Sequence, residues 1–509
     1  YYLLYFPIDD FLIKFVLCEV IRTLQKYVQN IRLVLIAILL YTTSASAQVL
    51  QWSTPTKLKG TAVFTRVIGE NEQGIYLLRY RNRFYSKNVI LERYDHLLTV
   101  QNSKVIDLKN ARLSKIYMTP KGLLLIKSKY SRSTQQNILS GQWYDYGFQP
   151  IGPPVSLASS TPIEFGDRGN FRIRISDNLQ NISLIYSEKT KTEEILIHHK
   201  LFDIALNLEN EKHFELPFAY STFIISDFLV TNAGETNILC KNVTRERRKI
   251  SSSINSIYTI YNGEIKDFLI TDSVEIKSAK LAYSRADDAA RIVAFYGLED
   301  TPGLVGTLSF KLSSDRTYGI IDCSPFPEKL INNVELNDRN DGAISEGFGI
   351  LEAIPRSDGG MLIIAEQKEV ATEDDIILVN GIPQSTSKNI YNFNELLIIN
   401  YDSSAFIDWH KVVTKNQTTV NDGGYFSSVA IFVGDKYIQL LYNDQIRSSG
   451  DVMQYTIYNN GVEESKKLLK TELDFVAIIP EESSQVSSNK LIIPTSKNRR
   501  FSLLKLVYN

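Results

Sequence analysis

Cysteine is scarce: three residues in 509, Cys18, Cys240 and Cys323, exclude a disulfide-stapled scaffold. Excess charge of either sign is missing too. The whole chain carries a net −1. Without residues 1–47, which hold Lys14, Arg22, Lys26, Arg32 and Asp9, Asp10, Glu19, it has 52 basic against 54 acidic residues. Such a balance excludes a general nucleic-acid binder and a polybasic binder of anionic membranes. No apolar run after Leu40 reaches the roughly 20 residues a membrane helix needs. There is no G-x-S-x-G, H-E-x-x-H, phosphate loop or dinucleotide fingerprint, so neither a cofactor nor a metal is expected. Helical periodicity is nearly absent; Ser465–Glu472 is the one short amphipathic candidate, and it reads equally as strand and turn.

One stretch near the start is compartmental. Arg32–Ala47, RLVLIAILLYTTSASA, has a basic lead-in, the apolar run Leu33–Leu40 and the small-x-small end Ser44-Ala45-Ser46-Ala47. It reads as a signal peptide over residues 31–47, cleaved after Ala47. Residues 1–30 then read as upstream translation or a disordered leader, and 48–509 as one exported domain. The expected location is the periplasm, the cell surface or the medium. Gln48 stands where a lipoprotein needs Cys. Cys240 and Cys323 either pair or remain free thiols.

Tyr (28) and Phe (24) are abundant, and Ile and Val recur in short runs, a strand-forming composition. A mark recurs along the chain: a strand-like run ends in an aromatic residue followed by Asp or Asn, which cap tight turns. The marks are Tyr94-Asp95, Tyr144-Asp145, Phe202-Asp203, Tyr261-Asn262, Tyr401-Asp402, Tyr458-Asn459 and Tyr508-Asn509, with Thr307–Asp315 as a degenerate copy. Most intervals are 50–60 residues, and Gly74, Gly122 and Gly360 open a further strand before a mark. About four strands per repeat is the arithmetic of a β-propeller blade. The expectation is an all-β propeller of eight blades, with seven blades or a β-sandwich array as alternatives. The last repeat stops at its third strand, Phe501–Val507, so a strand from Val49–Leu58 is expected to complete it and close the ring. Trp-Asp blade ends and kelch motifs are both missing.

Two insertions interrupt the period, Ser324–Gly347 and Gln367–Asn394, the latter carrying Glu369, Glu373, Asp374 and Asp375. Both are expected on one face, as long loops suited to binding. Arg79, Arg81, Arg83 and Lys87, Lys127, Lys129 and Arg132, and Lys241, Arg245, Arg247, Arg248 and Lys249 give a basic arc on the same face. The bland alternative is that loops are charged because they are wet. The run Asn337–Gly342 resembles a calcium loop but reaches Phe348 where a closing Glu is required. His198 and His199, adjacent on a strand, point to opposite faces and do not chelate one ion together. Asn181-Ile182-Ser183, Asn242-Val243-Thr244 and Asn416-Gln417-Thr418 are formal glycosylation sequons.

The richest polar text lies late. It runs Gly359-Gly360 to Glu366-Gln367, Trp409-His410-Lys411 to Lys415-Asn416-Gln417, Asn421-Asp422-Gly423-Gly424-Tyr425 to Ser428, and Tyr442-Asn443-Asp444. This resembles exported β-repeat proteins of unknown function from Bacteroidota-type bacteria, over residues 348–445 and more loosely at Glu92–Asp95. The resemblance implies an exported bacterial protein with β-repeats and carries no activity. Glu366, Gln367, Lys411, Lys415, Gln417, Asp422 and Tyr425 are the candidate binding residues, with solvated strand edges as the bland reading. Glu346, Glu352 and Glu366 are the carboxylates to inspect for glycoside chemistry. The expected function is a non-catalytic exported propeller that binds a protein or glycan partner through the loop-bearing face. A hydrolase with central carboxylates is the alternative, and an envelope structural subunit comes third.

Overall fold

The computed structural model describes residues 48–508 except 58–63, 81–87, 164–166, 168, 247–248, 271–273, 299–300, 313–315, 317, 335–342, 380–381, 447–449, 470–475 and 498–499. The stretch 31–47 expected to be a signal peptide and the polar run Asn337–Gly342 lie outside the described residues. Two compact units are distinguished. One is Gln51–Lys505; the other, residues up to Leu50 with Leu506–Asn509, contributes only strand ends to the described part.

Among the described residues the strands form eight antiparallel sheets in chain order. Sheet 1 spans Phe64–Asp107, sheet 2 Arg112–Ser160, sheet 3 Arg172–Ala219 and sheet 4 Phe223–Ile270. Sheet 5 spans Glu275–Pro325, sheet 6 Phe348–Val413, sheet 7 Ala430–Leu469, and sheet 8 begins at Ala477. Sheets 1 to 7 are four-strand meanders, with Gln417–Val420 added to the third strand of sheet 6.

Sheets 1 to 7 bury apolar faces on one another in succession. Tyr76 and Leu91 of sheet 1 pack on Leu123 and Leu125 of sheet 2, whose Leu124 and Ile126 meet Ile182 and Leu184 of sheet 3. The alternation of burial along each strand makes this two-sided packing possible. Ile185 and Ile197 continue onto Ile238 of sheet 4, and Leu239 and Ile257 onto Ile292 of sheet 5. Phe295 packs with Ile363 of sheet 6, and Ile364 and Ile398 with Leu440 of sheet 7. Gln485 of sheet 8 bonds Val433 of sheet 7 through both its amide groups, at 2.9 Å each. The cycle ends where Ile492, Phe501 and Leu503 of sheet 8 pack on Val67, Ile75 and Leu77 of sheet 1. A closed cycle of meanders, each stacked on the next, is a β-propeller.

Closure uses the start of the chain, as the missing strand requires. Thr56 and Lys57 pair antiparallel with Phe501 and Arg500. Ser53 N–H donates to Leu503 O at 3.0 Å, and Leu503 N–H donates to Ser53 Oγ at 2.8 Å.

The recurring aromatic-Asp mark is the turn between the third and fourth strands. Asp145 Oδ1 accepts from the N–H groups of Gly147 and Gln149 at 2.9 and 2.7 Å, and Asp95 and Asp402 repeat the pattern. Three residues after each Asp, Leu98, Phe148, Leu206 and Ala405 adopt φ between 64° and 69° and bury their side chains. Burial of those side chains offsets a backbone region that non-glycine residues avoid. Tyr261-Asn262 instead leads a two-residue Asn-Gly turn.

Several expectations change. Gln367–Asn394 is not a loop: the second and third strands of sheet 6, Met361–Val379 and Ile382–Tyr401, continue as a paired hairpin through Val379 and Ile382. The one insertion helix among the described residues is Glu328–Asn333, and the amphipathic candidate at Ser465 lies in the strand Glu463–Leu469. Cys240 and Cys323 are free, the first buried and the second exposed. His198 stacks on Tyr186, while His199 lies buried against Thr236, on opposite faces as expected.

Candidate functional site

Two polar assemblies stand out. The first gathers most of the sequence-selected residues. Glu366 closes the core part of the second strand of sheet 6, and Lys415 follows its fourth strand; both side chains are wholly buried. Lys415 Nζ donates to Glu366 Oε1 at 2.7 Å, Phe393 O at 3.1 Å and Gln417 Oε1 at 3.1 Å. An ammonium has three protons, and all three are used. Glu366 Oε2 accepts from Ser428 Oγ at 2.8 Å and lies 3.3 Å from Lys368 Nζ. Burial lowers the pKa of Lys415, and Glu366 opposes that shift. Gln417 Nε2 continues to Asn443 O at 2.7 Å, and Asn443 bonds the backbone of Phe426 and Ile478.

Tyr425 Oη accepts from Thr65 N–H at 3.2 Å, and its ring meets Phe64 edge-on at 4.7 Å. Asp422 caps the turn at Gly424. Gly424 sits at φ +72°, and a side chain there would meet the Phe393 ring at 2.6 Å. The linker 414–429 thereby locks sheets 6, 7, 8 and 1 together. Glu366, Lys415, Gln417 and Tyr425 are an anchor closed to ligands, since each polar atom that a ligand would need is occupied. Lys411 is elsewhere, on the outer strand, 3.3 Å from Glu463, and Gln367 is half-buried beside the first strand of sheet 6. Glu346 pairs with Lys277 at 2.9 Å, away from both assemblies.

The second assembly lines a cavity of about 800 Å³ bounded by the first strands of sheets 3 to 7. Four charged residues stand on successive first strands: Arg174, Asp227, Lys280 and Glu352. Arg174 Nη2 lies 3.2 Å from Asp227 Oδ1. Asp227 also accepts from Phe228 N–H at 2.9 Å and Leu281 N–H at 3.2 Å, so both its oxygens are committed. Glu352 is open to the cavity yet enclosed by protein, and that desolvation raises its carboxyl pKa while Lys280 and Arg174 pull it back. At the mouth Arg285 forks onto Asp177 at 2.9 and 2.7 Å.

Of this set, sequence reading singled out Glu352 and missed Arg174, Asp227 and Lys280. A faint signal exists. First strands carry a bulge at Ile225/Asp227, Ile276/Ser278 and Ile350/Glu352, which re-aims the following residues toward the cavity. The basic arc expected from loops is only partly visible. Arg81, Arg83, Lys87, Arg247 and Arg248 lie outside the described residues, and Arg79 pairs with Glu92 at 2.9 Å.

No family model and no curated protein matches the chain. Solved structures similar to it include the WD40 domain of SCAP from fission yeast, at 11% identity and TM-score 0.40, covering 91% of this chain and 98% of that one. The β-propeller domain of the Trilobed protease from Pyrococcus furiosus gives 12%, 0.36, 83% and 99%. The Bombyx mori GH32 beta-fructofuranosidase gives 10%, 0.25, 91% and 94%. Likenesses this distant carry nothing about function, and the fold assignment stands on the closed cycle of sheets.

Proposed function

We propose that this chain is an exported, non-catalytic propeller that binds a protein or glycan partner through the face carrying the sheet 6 hairpin. The hairpin carries the proposal. Its strands run 19 and 20 residues, against 7 to 13 for the second and third strands of sheets 1 to 5 and 7. Gln417–Val420 buttresses its base by pairing with Ile390–Phe393. At that base Val370 is 61% exposed, and beyond it Thr372, Glu373 and Asp374 are exposed. A rigid ribbon of this kind on a ring scaffold is a recognition element, because little order is lost when it docks. The Arg32–Ala47 leader supports export.

The test replaces residues 373–388 by Asn-Gly, joining the facing pair Thr372 and Asn389 and leaving the Gln417–Val420 pairing in place. Labelled protein, intact and shortened, is applied to peptide and glycan arrays. The expected result is binding by the intact protein, lost in the shortened one at an unchanged melting temperature. Equal binding by both, or none by the intact protein, overturns the proposal.

One observation favours a second reading, a hydrolase: Asp227 and Glu352 line the same cavity. It stands second because Asp227 is fully engaged, which leaves Glu352 without a free carboxylate partner. Turnover of a chromogenic glycoside panel, abolished by Glu352→Gln, would put it first.

A further inference from the structure

The charged residues of the cavity wall alternate in sign around the ring: Arg174, Asp227, Lys280, Glu352. Adjacent first strands hold them level. Leu281 N–H reaches Asp227, and Ile350 N–H donates to Ser278 Oγ at 3.0 Å, which sets Lys280 beside Glu352 two residues further on. The first pair is internally satisfied. The second is not: among the described residues, neither Lys280 nor Glu352 has a hydrogen-bond or close ion-pair partner. Glu352 is exposed to the cavity and Lys280 half-buried in its wall, so both charged heads are open to a ligand that enters.

We propose that Lys280 and Glu352 form the head-group site for a small zwitterion, an apolar amino acid or short peptide with free amino and carboxylate ends. A carboxylate on Lys280 and an ammonium on Glu352 complete both residues together. A singly charged ligand leaves one of them bare, and a neutral sugar neutralises neither. The rest of the cavity suits the remainder of such a ligand. Phe228, Leu229, Ile354, Pro355 and Val433 give it an apolar wall, and about 800 Å³ is in the range of small-molecule sites. Asp177–Arg285 and Arg356–Asp358 hold the mouth, and both pairs lie at the turns between first and second strands. The hairpin leaves the opposite ends of the strands, so this site is separate from the proposed partner face.

The test is calorimetric titration with Leu-Leu, its N-acetyl form, its C-terminal amide and maltose. Leu-Leu is expected to bind with a Kd at or below about 1 mM, and each blocked form at least about tenfold more weakly. Glu352→Gln should erase the distinction between free and acetylated peptide, and Lys280→Met that between acid and amide. Neither residue has a partner to lose, so both variants should melt with the parent. The protein with the shortened hairpin should bind Leu-Leu unchanged, which separates this proposal from the previous one. Equal affinity for blocked and free peptides, binding of maltose alone, or no binding of any probe overturns it.

Discussion

Lys415 Nζ lies 2.7 Å from Glu366 Oε1 with no part of either side chain open to solvent. The pair sits at the meeting point of four sheets. Its value is best seen by removing one partner at a time, because a buried charge left alone costs far more than an intact pair contributes.

Lys415→Met is expected to destabilise the protein by about 3 kcal/mol, the lower end for a broken buried pair, because Lys368 remains 3.3 Å from the stranded carboxylate. Adding Glu366→Gln should return part of that loss. Urea unfolding of both single variants and the double variant forms a cycle; strictly additive losses would contradict a coupled pair.

His199 is buried and its pKa is pushed down to about 4 by desolvation. A histidine in the unfolded chain titrates near 6.5, so between these values the unfolded state binds more protons and stability falls as pH falls. The loss should reach about 2 kcal/mol between pH 7 and pH 5. His199→Gln should flatten that part of the urea-midpoint profile; an unchanged slope would assign it to other groups.

Gly122 opens the second strand of sheet 2 at φ +141°, and a Cβ there would stand 2.3 Å from Tyr144 O, backbone that does not yield. Gly122→Ala should cost about 2–3 kcal/mol through strain and clash. Gly152, at φ +66° with nothing near its missing Cβ, is the control, and Gly152→Ala should cost about 1 kcal/mol. Comparable melting temperatures for the two would remove the contact argument.

Ser53→Ala leaves the buried Leu503 N–H without its acceptor and should cost about 1–3 kcal/mol. Removing the chain up to Leu58 should lower the melting temperature further, since it also takes the Thr56–Lys57 pairing. A truncated protein that melts with the parent would refute closure by this strand.

Much of the fold was legible because it is periodic. The Asp of each mark sets a local turn, and local hydrogen bonds such as those at Asp95 and Asp145 leave a trace in adjacent residues. The hairpin reads as a loop because Glu373-Asp374-Asp375 interrupts its apolar alternation, while the signal that identifies it is Asn380-Gly381 between the apolar Val379 and Ile382. The site was less legible. Glu366, Lys415 and Gln417 were picked out as a binding set, yet 49 residues separate the pair that meets, and burial turned them into an anchor. Arg174, Asp227 and Lys280 lie on three sheets, roughly 50 residues apart, and only ring closure places them on one wall.

The seam between Ser53 and Leu503 spans 450 residues of sequence. The ring therefore has no finished form before its final strand is synthesised. Until then Thr56–Lys57 has no strand to pair with, and the apolar face of sheet 1 at Val67, Ile75 and Leu77 lacks Phe501 and Leu503 to cover it. A chain that stops short keeps a bare edge and a bare face together, an invitation to pair with a neighbour. Quality control of this protein thus reduces to one question, whether the last eight strand residues found the first.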